Sequence, residues 1–227
     1  MEYSKKHKKN YKKEPIYYGV HLEIENEKKL LDILQNSVNL ILKEHKEDFN
    51  SSYETITELI KRYNEAKIGN EDNNRKNNRI EVNNMKYPNS LHITIYYGGK
   101  KGFNKNLKCV KEFQEGNEVE FKPLGCVVVP GKMVIIPALT YFSVDNKYPH
   151  ITTFLGDLKP FQSNEILENI FSKNMPLCEE YNKILDYDEN EYIKKTKVNI
   201  DGSEFDAFVH LSGKNCKING KMKGYYF

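Results

Sequence analysis

Two eight-residue segments of this chain repeat one pattern: Leu91-His92-Ile93-Thr94-Ile95-Tyr96-Tyr97-Gly98 and Pro149-His150-Ile151-Thr152-Thr153-Phe154-Leu155-Gly156. Each runs His-Ile-Thr, then three mostly strand-forming residues including an aromatic, then glycine. β-Branched and aromatic residues fit a pleated, half-buried surface, and glycine punctuates its end. Both segments therefore read as strands, and the fold must hold two such strands in equivalent settings. Side chains at i and i+2 leave a strand on the same face. Each segment thus presents an imidazole beside a hydroxyl, while Ile93, Ile95 and Ile151 turn the other way, into a core.

The rest of the chain supplies mixed elements. Residues 1–14 are basic, lack an apolar core and read as a flexible tail rather than a secretory signal. From residue 15 onward a single domain is expected, of a size to hold two lobes. Ile16 to Ile24 reads as a strand, and Leu30, Leu31, Leu34, Val38 and Ile41 recur at helical spacing within 28–45. A second helix is expected over Tyr53–Ala66, behind the cap candidates Asn50-Ser51-Ser52. Residues from about 69 to 86 are nearly all polar and read as a mobile loop. Val119–Val129 and Lys132–Ala138 read as a hairpin across Pro130-Gly131, and Ser163–Phe171 as a helix with Ser163 at its N-cap. Lys195–Ile200, Phe205–Leu211 and Lys217–Phe227 read as further strands.

Thirty-five basic residues face 32 acidic ones, a net charge of +3. That balance argues against tight, sequence-independent binding of long nucleic acid. No window approaches the length of apolar sequence that a membrane span requires. Cys109, Cys126, Cys178 and Cys216 lack the close pairs of a zinc site, so no metal and no cofactor is expected, and the thiols fit a reducing compartment. The cytoplasm is the expected location, with the basic tail allowing the nucleus. Heavy use of Lys, Asn, Ile and Tyr matches an A/T-rich genome such as a virus's or a parasite's.

Two imidazoles and two hydroxyls facing one cleft would make a phosphate site. Imidazole transfers protons near neutral pH, so one ring can take a proton while the other gives one. The hydroxyls can hydrogen-bond the non-bridging oxygens where charge develops. A single His-x-Thr says little; the repeat in matching strand–glycine context carries the argument. The paired motifs resemble the signature of the two-histidine (2H) phosphoesterases, the LigT-like phosphodiesterases, over roughly Pro15 to Phe227. The resemblance implies an α+β fold of two pseudo-symmetric lobes, their antiparallel sheets enclosing a central cleft. It also implies His92 with Thr94 and His150 with Thr152 as the catalytic pairs. The motifs stand closer together than is usual for the group, and an Asn-rich stretch precedes the first. Both departures bear on loop lengths and cleft shape.

The resemblance further implies a phosphodiester that includes a ribose 2′ oxygen. Three substrates fit: a 2′,3′-cyclic phosphate at an RNA end, 2′,5′-oligoadenylate, or a cyclic dinucleotide such as 2′,3′-cGAMP. The near-balanced charge leans the reading toward a small signalling nucleotide, which a viral protein would cleave to blunt host immunity. A non-catalytic nucleotide- or RNA-binding module is the alternative from another class. No protein partner is expected. Nucleobases stack on aromatic rings, which makes Tyr97, Tyr141 and Tyr148 candidate platforms, with Lys147 a candidate phosphate contact. His21, between Val20 and Leu22, and His210 read as packing residues.

Overall fold

The computed structural model describes residues 15–68, 80–88, 90–98, 104–174 and 191–226. The chain opens with β1 (Pro15–His21), α1 (Ile24–Glu44) and α2 (Lys46–Ile68). A short hairpin follows, β2 (Glu81–Val82) and β3 (Met85–Lys86), and then the first motif strand, β4 (His92–Tyr97). After a short helix, α3 (Lys108–Glu112), come β5 (Glu118–Pro123), β6 (Gly125–Val129) and β7 (Met133–Thr140). The second motif strand, β8 (His150–Leu155), leads to α4 (Gln162–Asn174). β9 (Glu191–Ile200), β10 (Ser203–Ser212) and β11 (Ile218–Tyr226) end the described chain.

Every pairing of these strands is antiparallel, and β7 joins two halves. On one side run β4, β1, β11 and β5; on the other run β9, β10 and β6, and β8, β3 and β2. β5 pairs with the end of β7, Phe121 opposite Thr140, whereas β6 and β8 pair with its earlier residues. This is an α+β fold built on antiparallel sheet, as the motif resemblance implies.

Both halves share one apolar core. Leu30, Leu31, Leu34, Val38 and Ile41 bury the inner stripe of α1 against α2 and against both halves of the sheet. Ile93 of β4 and Ile151 of β8 lie in this core, both fully buried. A second core lies under α4, where Ile166, Leu167, Ile170 and Phe171 meet Val127, Met133, Ile135 and Val209. Strands β6 and β7 are covered on both faces, which explains their unbroken apolar runs in place of alternation.

The structure revises several sequence expectations. Ile24 starts α1 and does not extend β1, and α2 begins at Lys46, so Asn50-Ser51-Ser52 lie inside a helix. The break is His45 alone, whose φ of −130° leaves the helical range without any Gly or Pro to mark it. The end of the expected polar loop is ordered: Asn83 and Asn84 take φ of 49° and 64°, and their left-handed pair closes the β2–β3 hairpin. Residues 69–79, like the basic tail and Cys178, lie outside the described residues. The long strand expected over 119–129 is two strands. Gly125, at φ +121°, turns the chain from one half to the other and packs so closely on β10 that a Cβ would sit 2.2 Å from the His210 carbonyl oxygen. Ser163 lies inside α4 rather than capping it.

Candidate active site

The two motif strands share more than their sequence. In each ladder one residue is extra: Ile95 between Thr94 and Tyr96, and Thr153 between Thr152 and Phe154. Both are β-bulges, and both fall three residues after the histidine. The Ile95 carbonyl accepts from the Asp145 amide at 2.8 Å, and the Thr153 hydroxyl donates to the Val134 carbonyl at 3.1 Å. Beyond each bulge an aromatic ring, Tyr96 or Phe154, enters the core. Since Ile93 and Ile151 enter the shared core, the His and Thr side chains of both strands leave the opposite face of the sheet. β4 and β8 lie in contact without ladder hydrogen bonds between them.

Each histidine is held in the same way. His92 Nδ1 lies 3.3 Å from the Ser90 carbonyl oxygen, and His150 Nδ1 lies 2.7 Å from that of Tyr148, two residues upstream in both cases. A carbonyl only accepts, so Nδ1 carries the proton in each ring and Nε2 is left as the basic nitrogen. Glu27, a buried carboxylate in the first turn of α1, accepts from the Leu91 amide at 3.3 Å and from the Tyr63 hydroxyl, fixing the start of β4.

Around Nε2 the two sites differ. His92 is partly exposed and lies in an aromatic group: its ring stacks on His21 at 4.8 Å and 14°, with Tyr17 tilted 5.7 Å away. Tyr17 in turn stacks on Tyr225 at 4.3 Å. Along this face Thr94 lies opposite Gly19 and Tyr97 opposite Tyr17, while on the far side of β1 Gly19 lies opposite Lys223. His150 is buried, and its Nε2 is 2.7 Å from Ser163 Oγ on α4. Ser163 Oγ is also 2.6 Å from the Pro160 carbonyl oxygen.

Burial pushes His150 down to about 4, opposed by the Tyr148 carbonyl and reinforced by charge on His92. Burial also lowers His92, against the pull of the Ser90 carbonyl. His21 falls to about 3, through burial first and then the charges of His92 and Lys223. All three rings are thus neutral at neutral pH. A charge on His92 would further oppose protonation of His150.

No family model matches this chain, and no curated protein matches it. Among solved structures it is similar to a fungal RNA kinase, with a TM-score of 0.52 and 16% sequence identity over 97% of this chain. The chain spans 47% of that structure's length. At this identity the likeness shows a common fold.

The structure separates the weaker candidates from the motif residues. The Tyr148 ring is buried in the second core, stacked on Phe171 at 5.2 Å, so it is no base platform; its contribution is the carbonyl that holds His150. Lys147 is exposed, paired with Glu168 at 3.5 Å and lying over the Tyr148 ring. Tyr141 lies under the Lys217 ammonium at 4.6 Å and lines a separate depression with Lys108, Glu112 and Ser143. Tyr97 is 67% exposed on the same face as Thr94 and stays available as a platform. His21, Tyr17, Lys223 and Ser163 were missed. Only the i, i+2 spacing of Tyr17, Gly19 and His21 hinted at a shared face; Lys223 and Ser163 reach the motifs through tertiary packing. Among the described residues no three His, Cys, Asp or Glu side chains cluster as a metal's ligands, and no helix is long and apolar enough to cross a membrane.

Proposed function

We propose that this protein is a phosphodiesterase that works without a metal on a phosphodiester containing a ribose 2′ oxygen. His92 and His150 are the proton-transfer pair, and Thr94 and Thr152 hold the phosphate oxygens. The supporting observation is the doubled local geometry: each His-x-Thr strand has the same bulge and the same Nδ1–carbonyl bond, and each directs imidazole and hydroxyl away from the shared core. A binding module has no need of two basic nitrogens set up alike.

In the reaction one Nε2 removes a proton from the attacking water or ribose hydroxyl. The new P–O bond forms as the bond to the leaving ribose oxygen breaks, and the other imidazole, protonated when the anionic substrate binds, delivers its proton to that oxygen. The threonine hydroxyls donate to the non-bridging oxygens as their charge grows. The orientation of the substrate decides which histidine takes which part.

Two substrate readings have separate support. The likeness to a fungal RNA kinase favours an RNA bearing a 2′,3′-cyclic phosphate, in RNA end processing. The near-balanced charge favours a small 2′,5′-linked nucleotide, 2′,3′-cGAMP or 2′,5′-oligoadenylate, degraded in the cytoplasm or nucleus of a host cell. Incubation of the protein with all three in EDTA tests both. Turnover of one names the substrate. Turnover of none leaves a nucleotide- or RNA-binding module, and turnover lost on chelation refutes the metal-free mechanism.

A further inference from the structure

Beside the four motif residues lies a buried polar atom without a partner. His21 is 3% exposed, and its Nε2 has no hydrogen-bond partner among the described residues. Its Nδ1 faces two hydroxyls, Tyr225 at 3.2 Å and Ser90 at 3.4 Å. Both can donate to Nδ1, and that arrangement puts the ring's proton on Nε2. The ring then presents an N–H with no acceptor, a costly state that folded proteins rarely keep without a use.

The position of Nε2 indicates what it lacks. A Cβ on Gly19 would come within 3.1 Å of it, so the nitrogen lies over the backbone at 19, where any other residue would place its side chain. Gly19 is the middle of a row across the sheet, with Thr94 on one side and Lys223 on the other. The neighbouring Lys221 is engaged by Glu23 and Glu118, whereas Lys223 makes no ion pair among the described residues and is exposed. The row therefore sets a hydroxyl, an N–H and an ammonium side by side, next to His92, with no carboxylate among them. That combination suits an oxyanion.

We infer that His21 is a third histidine of the site, a neutral N–H donor that binds a substrate phosphate oxygen together with Thr94 and Lys223. Its stacking on His92 sets that oxygen beside the ring that moves the proton. The inference rests on the phosphodiesterase reading for the identity of the substrate, but anion binding can be tested without turnover.

The probe is inorganic phosphate, followed by NMR of the histidine ring nitrogens in the full chain. In the wild type, phosphate should shift the His21 Nε2 resonance. His21→Phe keeps a flat ring to stack on His92 but has no donor, and it should weaken phosphate binding at least tenfold while His92 and His150 titrate as before. His21→Gln restores an N–H and should recover part of the affinity. Lys223→Gln, at an exposed position that does not threaten folding, should weaken binding several-fold. Wild-type phosphate affinity in His21→Phe overturns the inference and reduces His21 to a brace for His92; so does an unchanged affinity in Lys223→Gln. Phosphate that shifts His21 in a protein turning over none of the three nucleotides removes the phosphodiesterase reading and leaves this site standing.

Discussion

Strands β4 and β8 carry the same three residues on the same bulged backbone, yet their histidines have different surroundings. His92 is bordered by rings from β1 and β11, and no protein group hydrogen-bonds its Nε2 among the described residues. His150 is enclosed by α4, and its Nε2 already has a partner in Ser163. In the proposed reaction the backbone repeat would set which atoms face the phosphate; the packing around each strand sets how readily a proton is held there. Ser163 sits between two acceptors with one proton to give. When His150 is neutral the hydroxyl donates to Nε2. When His150 is protonated without substrate, Nε2–H donates to Oγ and the hydroxyl turns to the Pro160 carbonyl; in the proposed reaction the substrate oxygen takes the place of Oγ at Nε2. The second half therefore accommodates both charge states of its histidine, a provision with no counterpart around His92.

The strongest way to break the comparison is to remove each ring in turn. His92→Ala and His150→Ala should each lower kcat about 10²–10⁴-fold with the fold intact by circular dichroism. Near-wild-type rates in either would end the two-histidine assignment. Thr94→Val and Thr152→Val keep the shape but lose the hydroxyl, and each should cost about 10²-fold, mainly in kcat; a loss confined to KM would mean the hydroxyls bind substrate and transition state equally. Ser163→Ala should cost about tenfold and move the titration of His150, but not of His92, to lower pH, because the charge-assisted bond is the stronger of its two states. NMR titration of both rings checks this, and equal shifts in both would erase the proposed difference between the halves.

The smallest effect is on stability. His21, His92 and His150 are held below their ordinary pKa, so between about pH 6.5 and the folded values the unfolded chain binds more protons. Folding stability must then fall as pH is lowered through that window. At pH 5.5 the loss is about 1 kcal/mol for each deeply shifted ring. Urea midpoints measured from pH 7.5 to 5 should decline less steeply in His21→Phe than in the wild type; parallel curves would show that His21 is not held neutral by the fold.

Much of this was legible in the chain itself, for definite reasons. His92, Thr94, His150 and Thr152 could be placed on one face because strand alternation depends only on neighbours in sequence. The α1 stripe was legible for the same reason, through its helical spacing. Elements set by distant contacts were not. The bend at His45 has no breaker residue, and the Asn83-Asn84 turn was hidden in a run of asparagines. The turn of the chain at Gly125 depends on β10, far along the sequence. His21 read as a packing residue because the hydroxyl above it belongs to Tyr225 and the ring beside it to His92, both brought near by pairing across β1.

The bulges at Ile95 and Thr153 have a consequence for how these strands tolerate change. One inserted residue resets the reading frame of a strand, so that Tyr96 and Phe154 point inward where strict alternation would turn them outward. What the extra residue supplies at these two places is a backbone bend and not a particular side chain, so isoleucine serves in one and threonine in the other. Exchanging the residue at 95 or 153 keeps the frame. Deleting it would make the ladder regular, with Tyr96 directly after Thr94 and Phe154 directly after Thr152, so that alternation alone keeps both rings inward; what such a deletion removes is the local kink that aims the histidine and threonine.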